Sequence, residues 1–175
     1  MQERAEHSAV ADMAAKRDVF ERLSELRGSR TIIVGVGNIL KGDDGAGPVL
    51  CGQLSGRTCA ELVDAGTVPE NYIHRIIERA PENLVVIDAV DFGASAGTVR
   101  AFEPEQLSSS AISTHSLSPR LFADMVSQAL DVDVCFVGIQ PAHVRLGESL
   151  SPQVSRAVKE LADVLAGVFR PGGRG

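Results

Sequence analysis

The sequence predicts an α/β fold: a single-domain α/β/α sandwich around a mostly parallel, mixed sheet of five strands. Three observations carry that expectation. Short β-branched or apolar runs alternate with stretches of helical periodicity. Turn and capping signals separate the two kinds of segment. No internal repeat or interdomain linker interrupts the 175 residues, a length that suits one domain with a sizeable core.

Residues 1–29 read as an N-terminal extension. Val19, Phe20, Leu23 and Leu26 recur at helical spacing, and Gly28 is placed to close that helix. Residues 30–170 form the domain. Thr31 to Val36 is a β-branched run flanked by glycine, as in a strand buried on both faces. Gly47-Pro48 opens a helix through about Leu54, with proline tolerated in the first turn. Ala60 to Val63 is a second strand ending at Asp64. Thr67-Val68-Pro69-Glu70 has the form of a capping box, leading a helix whose apolar face is Val68, Tyr72, Ile73, Ile76 and Ile77. Leu84 to Ile87 is a third buried strand, ending at Asp88. Gly97 to Glu103 has one polar face and belongs at an edge or in an antiparallel pairing. A Ser-rich loop follows, and Ser118-Pro119 starts a helix with Leu117 and Phe122 as a hydrophobic staple. Val134 to Ile139 is the last strand. Ser151-Pro152 caps a final helix with the inward stripe Val154, Val158, Leu161, Leu165 and Val168. Residues 171–175 form a frayed tail.

The composition is 44% hydrophobic and only 4% aromatic, so the core is built from Val, Ile, Leu and Ala. A net charge of −6 argues against nucleic-acid binding, which needs a basic face for phosphates. Cys51, Cys59 and Cys135 are odd in number and lack CxxC spacing. They read as buried thiols in a reducing cytosol rather than disulfides or a zinc site. The first twenty residues carry scattered charge and no apolar run, unlike a secretory signal. No stretch reaches the roughly 20 apolar residues of a membrane helix. A cytoplasmic protein without membrane insertion is expected.

In open parallel sheets, ligands bind outside the carboxyl ends of the strands. Strand one empties into Gly-Val-Gly-Asn-Ile-Leu-Lys-Gly-Asp-Asp-Gly-Ala-Gly, residues 35 to 47. The glycines miss the G-x-G-x-x-G register, and no G-K-[ST] follows. Asp43 and Asp44 stand where a phosphate would bind, and two carboxylates there repel an anion and suit a cation. Asp64 ends strand two and Asp88 ends strand three. Taken singly, Asp64 and Asp91 read as caps of the turns that follow them. Asp88 is a stronger candidate, because Asp44 emerges on the same edge and a carboxylate beside an apolar run needs a cation or donors. His115 closes the Ser-rich loop just before a helix N-terminus, whose positive end favours a neutral imidazole able to donate a lone pair. His7, His74 and His143 read as exposed histidines. Two carboxylates and one imidazole suit a borderline transition metal such as zinc or nickel, with positions left open.

The residues also resemble a known family. Residues 35 to 48, Asp64-Ala65-Gly66-Thr67, Pro69-Glu70-Asn71, Val86-Ile87-Asp88-Ala89-Val90-Asp91, Ser113-Thr114-His115 and Gly138-Ile139-Gln140-Pro141 look like the hydrogenase maturation endopeptidases, in that family's order over about residues 31 to 165. They most resemble the branch acting on formate-hydrogenlyase-type hydrogenases. The resemblance implies an endopeptidase, of aspartyl or metal-assisted type, that removes the C-terminal extension of a [NiFe]-hydrogenase large-subunit precursor. It implies Asp44, Asp88 and His115 as catalytic and metal-sensing residues, with Asp43 and Asp64 supporting the loop. The nickel would come from the substrate, with no tightly bound organic cofactor. A non-enzymatic nickel-binding accessory protein, a nucleotide-dependent enzyme and a conventional zinc peptidase are the rival readings.

Overall fold

The computed structural model describes residues 17–26, 30–103, 106 and 119–170. Gly28, Ser113, Thr114, His115, Leu117 and Ser118, and with them the staple and the Ser-rich loop, lie outside the described residues, as does the tail from 171. Among the described residues five strands form one sheet: β1 Thr31–Val36, β2 Glu61–Gly66, β3 Asn83–Ala89, β4 Val99–Phe102 and β5 Asp133–Ile139. Their order is β2-β1-β3-β5-β4. β2, β1, β3 and β5 are parallel, and β4 runs antiparallel to β5 at one edge. The mixed five-stranded α/β sheet predicted from the sequence is the one observed.

Among the described residues five helices flank it: α1 over residues 17–25, α2 Ala46–Leu54, α3 Ile73–Arg79, α4 Pro119–Ser127 and α5 Pro152–Val168. Along β1 and β3, successive side chains point to opposite faces and feed two separate cores. Ile33, Val85 and Ile87 pack with α1, α2 and α5. Ile32, Val34, Leu84 and Val86 pack with α3 and α4. All six residues of β1 and all seven of β3 are buried, the signature of strands covered on both faces.

Two glycines bring α2 unusually close to the sheet. A Cβ on Gly47 would lie 2.4 Å from the Val36 carbonyl oxygen and 2.6 Å from that of Ile87. A Cβ on Gly35 would lie 2.5 Å from the Gly47 oxygen and 2.7 Å from Cys51 Sγ. Glycines that fail as a nucleotide loop thus serve contact between helix and strand.

α1 is part of the domain. Val19, Leu23 and Leu26 are buried in the same core as α5, whereas Phe20 is exposed. Arg22 Nε donates to Glu103 Oε1 at 2.7 Å, and the same guanidinium pairs with Asp133 at the start of β5. The buried Asn83 amide donates to the Leu26 carbonyl (3.2 Å) and to Thr31 Oγ1 (3.3 Å), tying the helix end to the sheet.

Local details differ from the sequence reading. Residues Pro69–Tyr72 form a 3-10 turn before α3, and no side chain caps it, so the Thr67/Glu70 capping box does not form. Proline at the start and Val68 in the capping position leave no side-chain oxygen where the cap requires one. Ser151 does cap α5, accepting from Val154 N. β3 continues through Asp88 to Ala89, so Asp88 is a strand residue. Cys51 and Cys135 are buried, but Cys59 is exposed. Burial raises the Cys51 thiol to about 11 and Cys135 to about 12.

Leu23→Ala is expected to lower stability by about 3 kcal/mol, as for a fully buried leucine, in urea denaturation. A loss under roughly 0.5 kcal/mol, the range of ordinary surface changes, would mean that α1 is not docked in solution. Brief alkylation with iodoacetamide at about pH 8, near the ordinary thiol pKa, is expected to label Cys59 and spare Cys51 and Cys135 by peptide mass mapping.

Candidate functional site

The carboxyl ends of β1, β2, β3 and β5 share one edge of the sheet, and the loops leaving them carry the polar residues singled out above. β1 leads into a 3-10 turn, Gly42–Gly45, which presents Asp43 and Asp44 directly before α2 and packs against β3. Both aspartates are buried, with 0% and 1% exposure.

The two neighbours have different surroundings. Asp43 Oδ2 accepts from the N–H groups of Ala142 (2.8 Å) and His143 (3.2 Å), and Oδ1 accepts from Ser151 N (2.6 Å). Its own N–H donates to the His143 carbonyl at 3.2 Å. Asp43 therefore faces the β5–α5 loop. Asp44 turns back on the β1 loop: Asn38 N donates to both its Oδ2 (2.9 Å) and its carbonyl oxygen (3.2 Å). Gly37 makes that approach possible. Its φ is +140°, and a Cβ there would lie 1.8 Å from the Asp44 oxygen.

Asp88 is buried near the end of β3, opposite Gly138 of β5. Leu84 and Val86 face the α3/α4 layer, so the strand alternation directs Asp88 to that layer as well. α4 runs back toward the amino end of β5, which puts its N-terminus at the edge that carries Asp44 and Asp88. His115 precedes α4 and lies outside the described residues. Among the described residues, no three His, Cys, Asp or Glu side chains cluster as a metal site.

Asp64 is exposed and closes the end of β2 by accepting from Gly66 N at 3.1 Å. With Gly37, Asn38, Ile39 and Thr67 it lines an open cleft of about 270 Å³ beside the Asp44 loop. Asp91 and Gln140 form a separate brace. Gln140 Nε2 donates to Asp91 Oδ1 (3.1 Å), and its Oε1 accepts from Phe92 N (2.9 Å) and Ala94 N (3.2 Å). Hydrogen bonds from Gln140 and then from Gly93 N hold the Asp91 carboxyl below the usual carboxylate range. His143 is half-buried with Nδ1 2.9 Å from Glu148 Oε2, so it is not the free surface histidine the sequence suggested; His74 is exposed.

Sequence reasoning overlooked Asn38 and gave Gln140 no role. Asn38 holds Asp44 by a backbone N–H, which leaves no residue-type signal. Gln140 stood in view within Gly-Ile-Gln-Pro, where a buried amide at a strand end marks a loop brace.

Fold and site define an α/β protein with buried carboxylates at the carboxyl edge of a largely parallel sheet, suited to polar or metal-assisted chemistry. The model of the hydrogenase maturation protease family matches residues 51–168, a span that includes Asp64, Asp88 and His115. The chain is 30% identical to the hydrogenase 3 maturation protease of Escherichia coli K12 over 145 residues, covering 81% of this chain and 92% of that protein. A crystal structure of a [NiFe] hydrogenase maturation protease from Thermococcus kodakarensis superposes with a TM-score of 0.76 at 28% identity, covering 83% of this chain and 97% of that one. The solution structure of an endopeptidase from Escherichia coli gives 0.73 at 30% identity, covering 79% and 90%. The chain belongs to the hydrogenase maturation protease family, and it is accordingly an endopeptidase.

Asp43→Ala is expected to cost roughly 3 kcal/mol in urea denaturation, because three backbone N–H groups lose their acceptor. Asp43→Asn should recover only part of this, since its amide oxygen can accept on one side while its NH2 sets donor against donor on the other. Recovery to wild-type stability in Asp43→Asn would show that the carboxylate charge is not needed.

Proposed function

We propose that this protein removes the C-terminal extension of a [NiFe]-hydrogenase large-subunit precursor after nickel insertion, in the cytoplasm. The observation that carries the reading is the burial of Asp44 and Asp88 at one sheet edge, in a chain of the hydrogenase maturation protease family. Carboxylates gathered at one edge are suited to meet a cation, and nickel carried by the substrate is such a cation. The metal is part of the substrate, and no organic cofactor is required.

In this reading Asp44, Asp88 and His115 recognise the nickel-loaded substrate and are the catalytic residues. Asn38 and Gly37 hold Asp44 in place, and β3, paired on both sides, carries Asp88. Placement of α4 supports the inclusion of His115, because that helix starts at the same edge and four residues further along the chain. Water attacks the scissile carbonyl while a carboxylate takes its proton in an aspartyl-type step, and that proton passes to the leaving amine as the C–N bond breaks. The substrate metal orients the peptide and polarises its carbonyl. The cleft beside Asp64 offers room for the peptide flanking the cut. Asp43 and Asp64 support the loop and contact no reacting atom.

Purified protein mixed with nickel-loaded precursor is expected to release a C-terminal peptide, followed by intact mass, whereas nickel-free precursor stays whole. Asp44→Asn, Asp88→Asn and His115→Ala should each slow cleavage by at least about 100-fold. Metal-dependent binding without cleavage by the wild-type protein would replace this reading with that of a non-enzymatic accessory protein. Equal cleavage of both precursors would refute the role of nickel.

A further inference from the structure

Eight large apolar side chains are exposed among the described residues: Phe20, Ile39, Leu40, Val68, Leu121, Met125, Val144 and Leu146. Five of them, Ile39, Leu40, Val68, Val144 and Leu146, belong to loops leaving the carboxyl ends of β1, β2 and β5. Scattered single residues of this kind need no explanation, but their concentration at one edge does.

The two principal loops form one body. Gly147 N donates to the Leu40 carbonyl at 2.8 Å, Gly42 N to the Glu148 carbonyl at 3.0 Å, and Asp43 N to the His143 carbonyl at 3.2 Å. The Asp43 carboxylate adds three further bonds from the β5–α5 loop, as described above. The Gly147 N–H bond to the Leu40 carbonyl brings the backbones at Leu40 (62% exposed) and Leu146 (76% exposed) close together, and the exposed Ile39 and Val144 lie on the same two loops. A side chain as apolar as leucine that stays exposed on a loop fixed by this many hydrogen bonds is not exposed through looseness. The loop is built to present it.

This surface is continuous with the site. Ile39 also lines the cleft that contains Asp64 and Thr67, and the loop that carries it ends in Asp44. We propose that the paired loops, with Leu40 and Leu146 at their centre, are the docking surface for the folded body of the hydrogenase large-subunit precursor. The inference rests on the protease reading given above and adds how the substrate is held. An endopeptidase that cuts one peptide of a folded protein needs contact beyond the scissile segment, and an apolar patch on a rigid support gives it with little ordering cost. The partner surface that fits is apolar and lies beside the precursor's C-terminal segment. Asp43, next to Asp44 in the chain, ties these two loops together.

The test compares binding and cleavage of purified precursor by the wild-type chain, Leu40→Ser/Leu146→Ser and the control Met125→Ser. Met125 is exposed on α4, toward the opposite end of the sheet. Both variants should melt with the wild type, since they change exposed side chains. The double variant is expected to raise Kd and KM for the precursor about tenfold or more, as for a pair of interface anchors, while Met125→Ser changes neither. A double variant that binds as tightly as wild type overturns the proposal even where cleavage proceeds normally. A double variant with normal affinity that converts a wild-type dimer into a monomer assigns the surface to a second copy of this chain and also overturns it. Wild-type protein that binds the precursor without cutting it refutes the protease reading alone, and the affinity comparison still decides the docking surface.

Discussion

Asp43 carries a carboxylate with no exposed surface, and its two oxygens accept three backbone N–H groups from Ala142, His143 and Ser151. Burying that charge is costly, and charge-assisted bonds to otherwise unpaired amides offset the cost on both sides. The bonds span about a hundred residues of sequence and join the turn after β1 to the loop after β5. Much of the functional edge depends on this junction. It sets where α5 begins, since Ser151 is both the cap of that helix and a donor to Asp43. Through the adjacent Asp44 it also fixes where one candidate site carboxylate stands.

The same edge depends on what lies beneath it. Gly35 and Gly47 let α2 approach the backbones of β1 and β3 to distances at which any side chain would collide. The turn bearing Asp43 and Asp44 is drawn down against β3, where Asp88 resides. Glycine here is a packing device, and its density around residues 35–47 has no need of a phosphate to explain it. Polar chemistry is confined to the rim because both faces of the sheet are filled with aliphatic side chains from five helices.

Not every local signal survived folding. The Thr67/Glu70 pattern has the letters of a capping box, but the chain enters α3 through a 3-10 turn in which no side chain caps the backbone. Residues 1–29 read as an N-terminal extension, and within it Val19, Leu23 and Leu26 complete the core beside α5, with Arg22 pairing to Glu103 and Asp133. The second case has a general cause. Side-chain spacing reports which face of a segment is apolar, whereas the partner that covers that face is chosen by the whole fold.

The amino-acid sequence by itself determined the alternation of strands and helices, the burial of β1, β3 and β5, the edge position of β4 and the capping of α5. Each is written in local periodicity or in one residue's chemistry. It also placed Asp88 at a strand end and Asp44 in the loop between the first strand and its helix, which in a parallel sheet means one edge. Only the tertiary structure decided that adjacent aspartates face different ways, one under the β5–α5 loop and one toward Asn38. It alone revealed Gly37 as the space for an Asp44 oxygen, and it alone set Leu40 beside Leu146. These relations join residues six to more than a hundred positions apart through backbone hydrogen bonds, and a backbone N–H is the same in every residue but proline.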